Sequence, residues 1–161
     1  MNPLGISDLM EWFRPLGRRP ATDDRELMSR MLFLATGLSV LPLRRFGAVP
    51  PFGVTLDSHG ENLHIYFPLE QDPDARWREL IDATTNHLER RIASEDVGVL
   101  AIAAELESDD RQGGLGIHLE TRTSSLFVIY PYKGTRENRR LGECSKANGL
   151  FVAPLLAAKK Q

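Results

Sequence analysis

A chain of 161 residues, 42% hydrophobic and 26% charged with a net charge of −2, has the composition of one globular domain, large enough to bury a core without metal or disulfide. These proportions exclude intrinsic disorder, collagen-like repeats and disulfide-stapled scaffolds. Cys144 is the single cysteine, so an intrachain disulfide and Cys-rich zinc sites are excluded as well.

The amino terminus has no basic segment followed by an apolar run and a small-residue cleavage site. The longest uncharged stretch, 31–43, falls short of the roughly 20 apolar residues that a bilayer crossing takes. The expected location is the cytoplasm, with no membrane partner. Charge is unevenly spread: from Lys133 onward seven basic residues stand against two acids, leaving thirteen basic against twenty acidic residues before it. Such a tail is drawn to its own body or a second subunit over about one Debye length, roughly 8–10 Å.

In chain order, Ser7 can cap a short helix over 7–16 that carries Leu9, Trp12 and Phe13 on one side, ended by Pro15 and Gly17. Asp23 with Glu26 three residues later has capping-box spacing and opens a second helix over 23–38. Its buried stripe is Leu27, Met31, Leu34 or Ala35, and Leu38, and Gly37, Ser39 and Pro42 predict its end in a bend. Phe52, Val54 and Leu56, then Leu63, Ile65 and Phe67, alternate around the turn Asp57-Ser58-His59-Gly60, which predicts a hairpin over 52–67 closed by Pro68.

Asp72-Pro73 predicts the start of a helix over 73–94 with Trp77, Leu80 or Ile81, Thr84, Leu88 and Ile92 inward. Three strands are expected over 97–130. The first is nearly continuous in apolar residues and so covered on both faces. The second alternates Leu115, Ile117 and Leu119 with His118 and Glu120 and reads as half-solvated, and Pro131 closes the third. The segment 134–148 is polar and reads as an irregular, mobile loop.

The reading is therefore a single α+β domain over 1–132 with a five-stranded, mainly antiparallel sheet in the order α-α-β-β-α-β-β-β. A basic loop and apolar tail over 133–161 docks on the domain or on a partner. This element order, with the turn Asp57-Ser58-His59-Gly60 between two apolar strands, resembles the roadblock/longin group of profilin-like domains over about residues 22–132. It departs from that group after the last strand, where a helix is often found. The run Pro51-Phe52-Gly53-Val54-Thr55-Leu56-Asp57 followed by Gly60-Glu61 is also similar to small bacterial proteins with no assigned function, which adds no chemistry.

Chemistry-capable residues are scattered. His118 and Glu120 share a strand face that His64 can join, the one arrangement suited to a metal or an acid/base pair. Alternate polar positions on a half-exposed strand are the plainer account. Cys144 sits between Glu143 and Lys146 without the base a thiolate nucleophile needs. Gly113-Gly114-Leu115-Gly116 lies between two strands and is a hairpin turn, because a phosphate cradle needs a helix start behind the glycines. Lys133, Arg136, Arg139 and Arg140 form the candidate surface for a partner or for nucleic acid, although a pI near 6.1 is low for a dedicated nucleic-acid binder. Trp12, Phe13, Phe151, Leu155 and Leu156 are the candidate interface.

No cofactor is expected. The leading expectation is a non-enzymatic interaction module, a homo-oligomer or a binder of another protein, using an unpaired strand edge or the apolar tail. A small enzyme or ligand-binding domain on the His64, His118, Glu120 face is the alternative. A nucleic-acid adaptor on the arginine loop is the third.

Overall fold

The computed structural model describes residues 23–106, 113–147 and 152–156. The expected helix over 7–16, with Trp12 and Phe13, lies outside the described residues, as does Phe151. The first helix, α1 (Asp24–Phe46), opens where the capping spacing places it: Asp23 is extended and its side chain accepts the Glu26 N–H at 2.8 Å. Glu26 turns its own carboxylate to Arg30 instead, at 2.8 Å.

α1 does not stop at Leu38 but runs on through Pro42. A proline in a helix interior costs about 3 kcal/mol. Beyond it the helix must reach Leu43, which is buried with Leu27, Met31, Leu34 and Leu38 in one core. Gly47, left-handed at φ 68°, ends the helix and donates its N–H to the Leu43 carbonyl at 2.9 Å. By length and composition α1 could cross a membrane, and here its apolar stripe lies against the sheet.

The hairpin strands β1 (Phe52–Leu56) and β2 (Leu63–Tyr66) are joined by a turn in which the Asp57 carboxylate accepts from the Glu61 N–H at 2.9 Å and the Asn62 amide at 2.6 Å. After the second helix, α2 (Trp77–Ser94), the chain returns beside β1. There β3 (Val99–Leu106) pairs antiparallel with it, Thr55 opposite Leu100. The meander continues with β4 (Gly114–Thr121) and β5 (Ser125–Lys133).

The sheet has seven strands, not the expected five, in the order β2-β1-β3-β4-β5-β6 with β7 also on β5. The additional strands β6 (Arg140–Leu141) and β7 (Ser145–Lys146) come from the segment read as an irregular loop. Both lie antiparallel on the outer edge of β5, at Tyr132–Lys133 and Val128–Ile129 respectively. β5 runs through Pro131 because that residue falls between the two partners, where no ladder donor is required. The Pro131 carbonyl still accepts from the Gly142 N–H at 2.6 Å.

The start of α2 also differs from the reading. Asp72-Pro73 forms a turn, its Asp72 carbonyl accepting from the Ala75 N–H at 3.3 Å. The helix begins at Trp77, with the Arg76 N–H donating to the Glu79 carboxylate at 2.9 Å. Gly53 lets α2 lie close to the sheet: a Cβ there would stand 2.8 Å from Thr84 Cγ2 and 3.1 Å from Leu88 Cδ1.

Strand alternation splits the interior into two cores. Val99, Ala101, Ala103, Leu115, Ile117 and Leu119 face α1. Leu100 and Ile102 face Leu88 and Ile92 of α2, together with Val152 and Leu156 of the carboxy-terminal segment. That segment reaches Glu120 of β4, and Leu106 and Phe127 stand over Gly116, so β4 is buried along its whole length and not half-solvated as its alternation suggested. Each fully buried leucine here contributes about 1.5–3 kcal/mol of transfer free energy.

Candidate functional site

Strand register places the three candidate residues of the sheet face. Thr55 stands opposite both His64 and Leu100, and Leu100 stands opposite Glu120, so His64 and Glu120 share one cross-strand row. His118 lies in the next row of the same face, opposite Ile102. Three strand spacings, about 14 Å, separate the β2 and β4 positions. The sheet therefore does not bring His64 to His118 and Glu120.

His118 and Glu120 pair with each other, Nε2 to Oε1 at 3.0 Å, and both side chains are 0% exposed. The expectation that they face solvent is corrected by the carboxy-terminal segment. The Leu155 N–H donates to Glu120 Oε1 at 2.9 Å, and the Leu156 N–H donates to Oε2. A carboxylate in a covered interior needs several donors to be tolerated. Here consecutive main-chain amides and an imidazole supply them. Leu155 and Leu156, read as interface candidates, thus belong to the chain's own second core.

His64 meets a residue that the sequence reading left unmarked, His87 of α2. Their Nε2 atoms are 2.8 Å apart, with rings 16° from coplanar and centroids 5.1 Å apart. With the nitrogens so much closer than the centroids, the rings meet edge to edge through those nitrogens. His87 in turn stacks face to face on Tyr66, at 3.8 Å and 3°. Arg91, one turn further along α2, donates from Nε to Thr55 Oγ1 at 3.2 Å.

Burial pushes the His64 imidazole below its ordinary range, and the Arg91 and His87 charges add to this while Glu95 opposes it. Burial likewise lowers His87, helped by Arg90 and Arg91. His87 and Arg91 flank the buried positions Thr84, Leu88 and Ile92. Helical spacing marks such flanks, but only the tertiary fold says which strand they meet.

The basic candidates separate. Arg139 is engaged: Nη1 donates to the Gly47 carbonyl at 2.7 Å, and the guanidinium lies 5.2 Å from the centre of the Tyr132 ring. It thereby satisfies a carbonyl just past the negative end of α1. Tyr132 donates its hydroxyl to Glu105 at 2.9 Å, and burial, then the Glu105 charge and bond, raise its pKa far above the phenol range. Lys133, Arg136 and Arg140 are exposed. Cys144 is exposed and hydrogen-bonded to Tyr130 of β5.

An open groove of about 440 Å³ runs along α1 past Met28 and Leu32 to Thr123 and Leu126, and no imidazole lines it. Among the described residues no group of three or more His, Cys, Asp or Glu could hold a metal ion. Fold and site together define an α+β protein with a curled antiparallel sheet held between two covered faces. Compared with known proteins, the chain matches no family model, no curated protein and no solved structure.

Proposed function

We propose that this chain is a non-enzymatic protein-interaction module that self-associates by adding a second copy to the open edge of its sheet at β2. The observation that carries the reading is the difference between the two sheet edges. β5 is covered by β6 and β7, whereas β2 pairs with β1 alone among the described residues. The Asp57 N–H bonds to the Asn62 carbonyl at 3.3 Å, so antiparallel alternation turns the main-chain groups of His64 and Tyr66 toward β1. Those of Leu63 and Ile65 then point outward.

The strand Leu63–Tyr66 carries no Asp, Glu, Lys, Arg or Pro, the residues that ordinarily protect an edge. Antiparallel self-pairing satisfies the outward groups of both copies with about four hydrogen bonds. At a net of about 1–1.5 kcal/mol each, they predict weak, concentration-dependent association. Sedimentation velocity between about 10 µM and 1 mM, the range for such affinities, is expected to show monomer passing to dimer. Ile65→Pro, which removes an outward donor and leaves the β1 ladder intact, is expected to stay monomeric throughout. A wild-type chain that remains monomeric at the upper concentration contradicts the reading.

A second reading draws on Lys133, Arg136 and Arg140, which remain exposed and could contact a phosphate backbone. Salt-sensitive retention on immobilised nucleic acid, lost in Arg136→Ala/Arg140→Ala, is its test. As part of the same proposal we place the protein in the cytoplasm, with α1 a core helix and not a membrane span.

A further inference from the structure

The contact that ties β2 to α2 depends on how many protons it holds. Each neutral imidazole carries one proton, so the 2.8 Å contact requires one ring to donate from Nε2 while the other accepts there and is protonated at Nδ1. A first added proton enters at the outer Nδ1 of the donor ring. The bond survives and becomes charge-assisted. A second added proton has only the accepting Nε2 to occupy, and it leaves two N–H groups facing each other at a distance where an acceptor is needed. The pair therefore titrates as a unit.

The surroundings resist that second proton. On α2, Arg91 and Arg90 add positive charge, and Glu95 at the helix end is the opposing acid. From β2, Tyr66 covers one face of the His87 ring. From β1, the Thr55 hydroxyl holds Arg91 in place. The segment being held is the same four-residue strand whose outer edge is open, and on its outer side nothing among the described residues pairs with it.

We propose that the His64–His87 bond is an acid-operated latch, which fastens β2 to α2 while the pair carries at most one added proton and releases them when both facing nitrogens are protonated. It acts within one copy and does not depend on whether β2 receives a second one. The release frees the hairpin end from the helix while the first core, on the α1 face, stays packed.

The test uses the full chain at a concentration where it is monomeric, comparing pH 7.5 with pH 5.5. Deuterium uptake over 62–67, corrected for intrinsic exchange, is expected to rise severalfold in the wild type. His87→Gln keeps an amide facing His64 but cannot titrate, and its uptake is expected to be the same at both pH values. Acid-induced opening that persists in His87→Gln overturns the latch, as does wild-type uptake that does not respond to acid. Imidazole NMR titration of the wild type needs no variant. Two coupled steps shared by the His64 and His87 resonances are expected, and two independent single-proton curves contradict the proposal.

Discussion

Two histidines on one face of the same sheet meet opposite fates. His118 is sealed against Glu120 under the carboxy-terminal segment, with both side chains removed from solvent. His64 stands three strands away at the rim, half-buried against a second imidazole from α2. Residue type is the same. What differs is what covers each position: main-chain amides of a docked segment fix a carboxylate permanently, whereas an imidazole facing an imidazole is held by a bond that protonation removes. A chemistry-bearing side chain in a sheet takes its role from the element laid over it.

That contrast can be broken from either side. The largest effect is expected at the sealed pair. Glu120→Ala takes the carboxylate acceptor from His118 and from the Leu155 and Leu156 amides, at about 1–3 kcal/mol for each orphaned donor, read as a lower urea midpoint. The carboxy-terminal segment should then become sensitive to protease. A loss below about 1 kcal/mol, the net worth of an ordinary hydrogen bond, would show that the carboxylate does not fasten the segment. Next comes the fit of α2 on the sheet. Gly53→Val drives side-chain atoms into Thr84 and Leu88 and is expected to cost about 1–3 kcal/mol by overpacking, seen as a lower thermal midpoint.

At the rim the expected effects are smaller and depend on pH. Because the folded-state values of His64 and His87 lie below their ordinary 6.5, the folded chain binds fewer protons than the unfolded one just below that pH. Their contribution is fully present above pH 6.5 and declines as pH falls toward the folded values. Asp57 and Asp96 give a separate, more acid window. Burial raises Asp57, but the bonds from Glu61 and Asn62 outweigh it, and the Ser58 bonds lower Asp96. Their contribution is present above the ordinary 3.8 and lost as pH falls below it through the folded values. Urea midpoints against pH should therefore decline in two stages, and His87→Gln should weaken the first alone. Smallest of all, Tyr66→Leu removes the ring stacked on His87 and is expected to cost about 0.5–1.5 kcal/mol.

The backbone plan was legible where local chemistry acts alone. Asp23 capped its helix, and the Asp57–Gly60 turn joined two alternating strands. Local signals failed where distant contacts outweighed them. Pro42 did not end α1, because Leu43 lies beyond it in the core, and Pro131 did not end β5, because its outer partners leave a gap at that residue. The polar segment after Lys133 carries no strand alternation, and only the uncovered β5 edge gives β6 and β7 their pairing. Of the site, the shared face of His64, His118 and Glu120 followed from strand period. The covering of two of them by residues 152–156, and the meeting of His64 with His87, depend on contacts 23 or more residues apart in sequence.

The central claim is that β2 is the edge through which the molecule recognises a second copy of itself. Residue-resolved amide exchange, recorded across a concentration series at constant pH 7.5, tests it most directly. Protection is predicted to grow with protein concentration at the outward amides of Leu63 and Ile65, while those of His64 and Tyr66, already bonded to β1, remain unchanged. Leu63 and Ile65 amides that exchange at one rate from the most dilute to the most concentrated sample would contradict it.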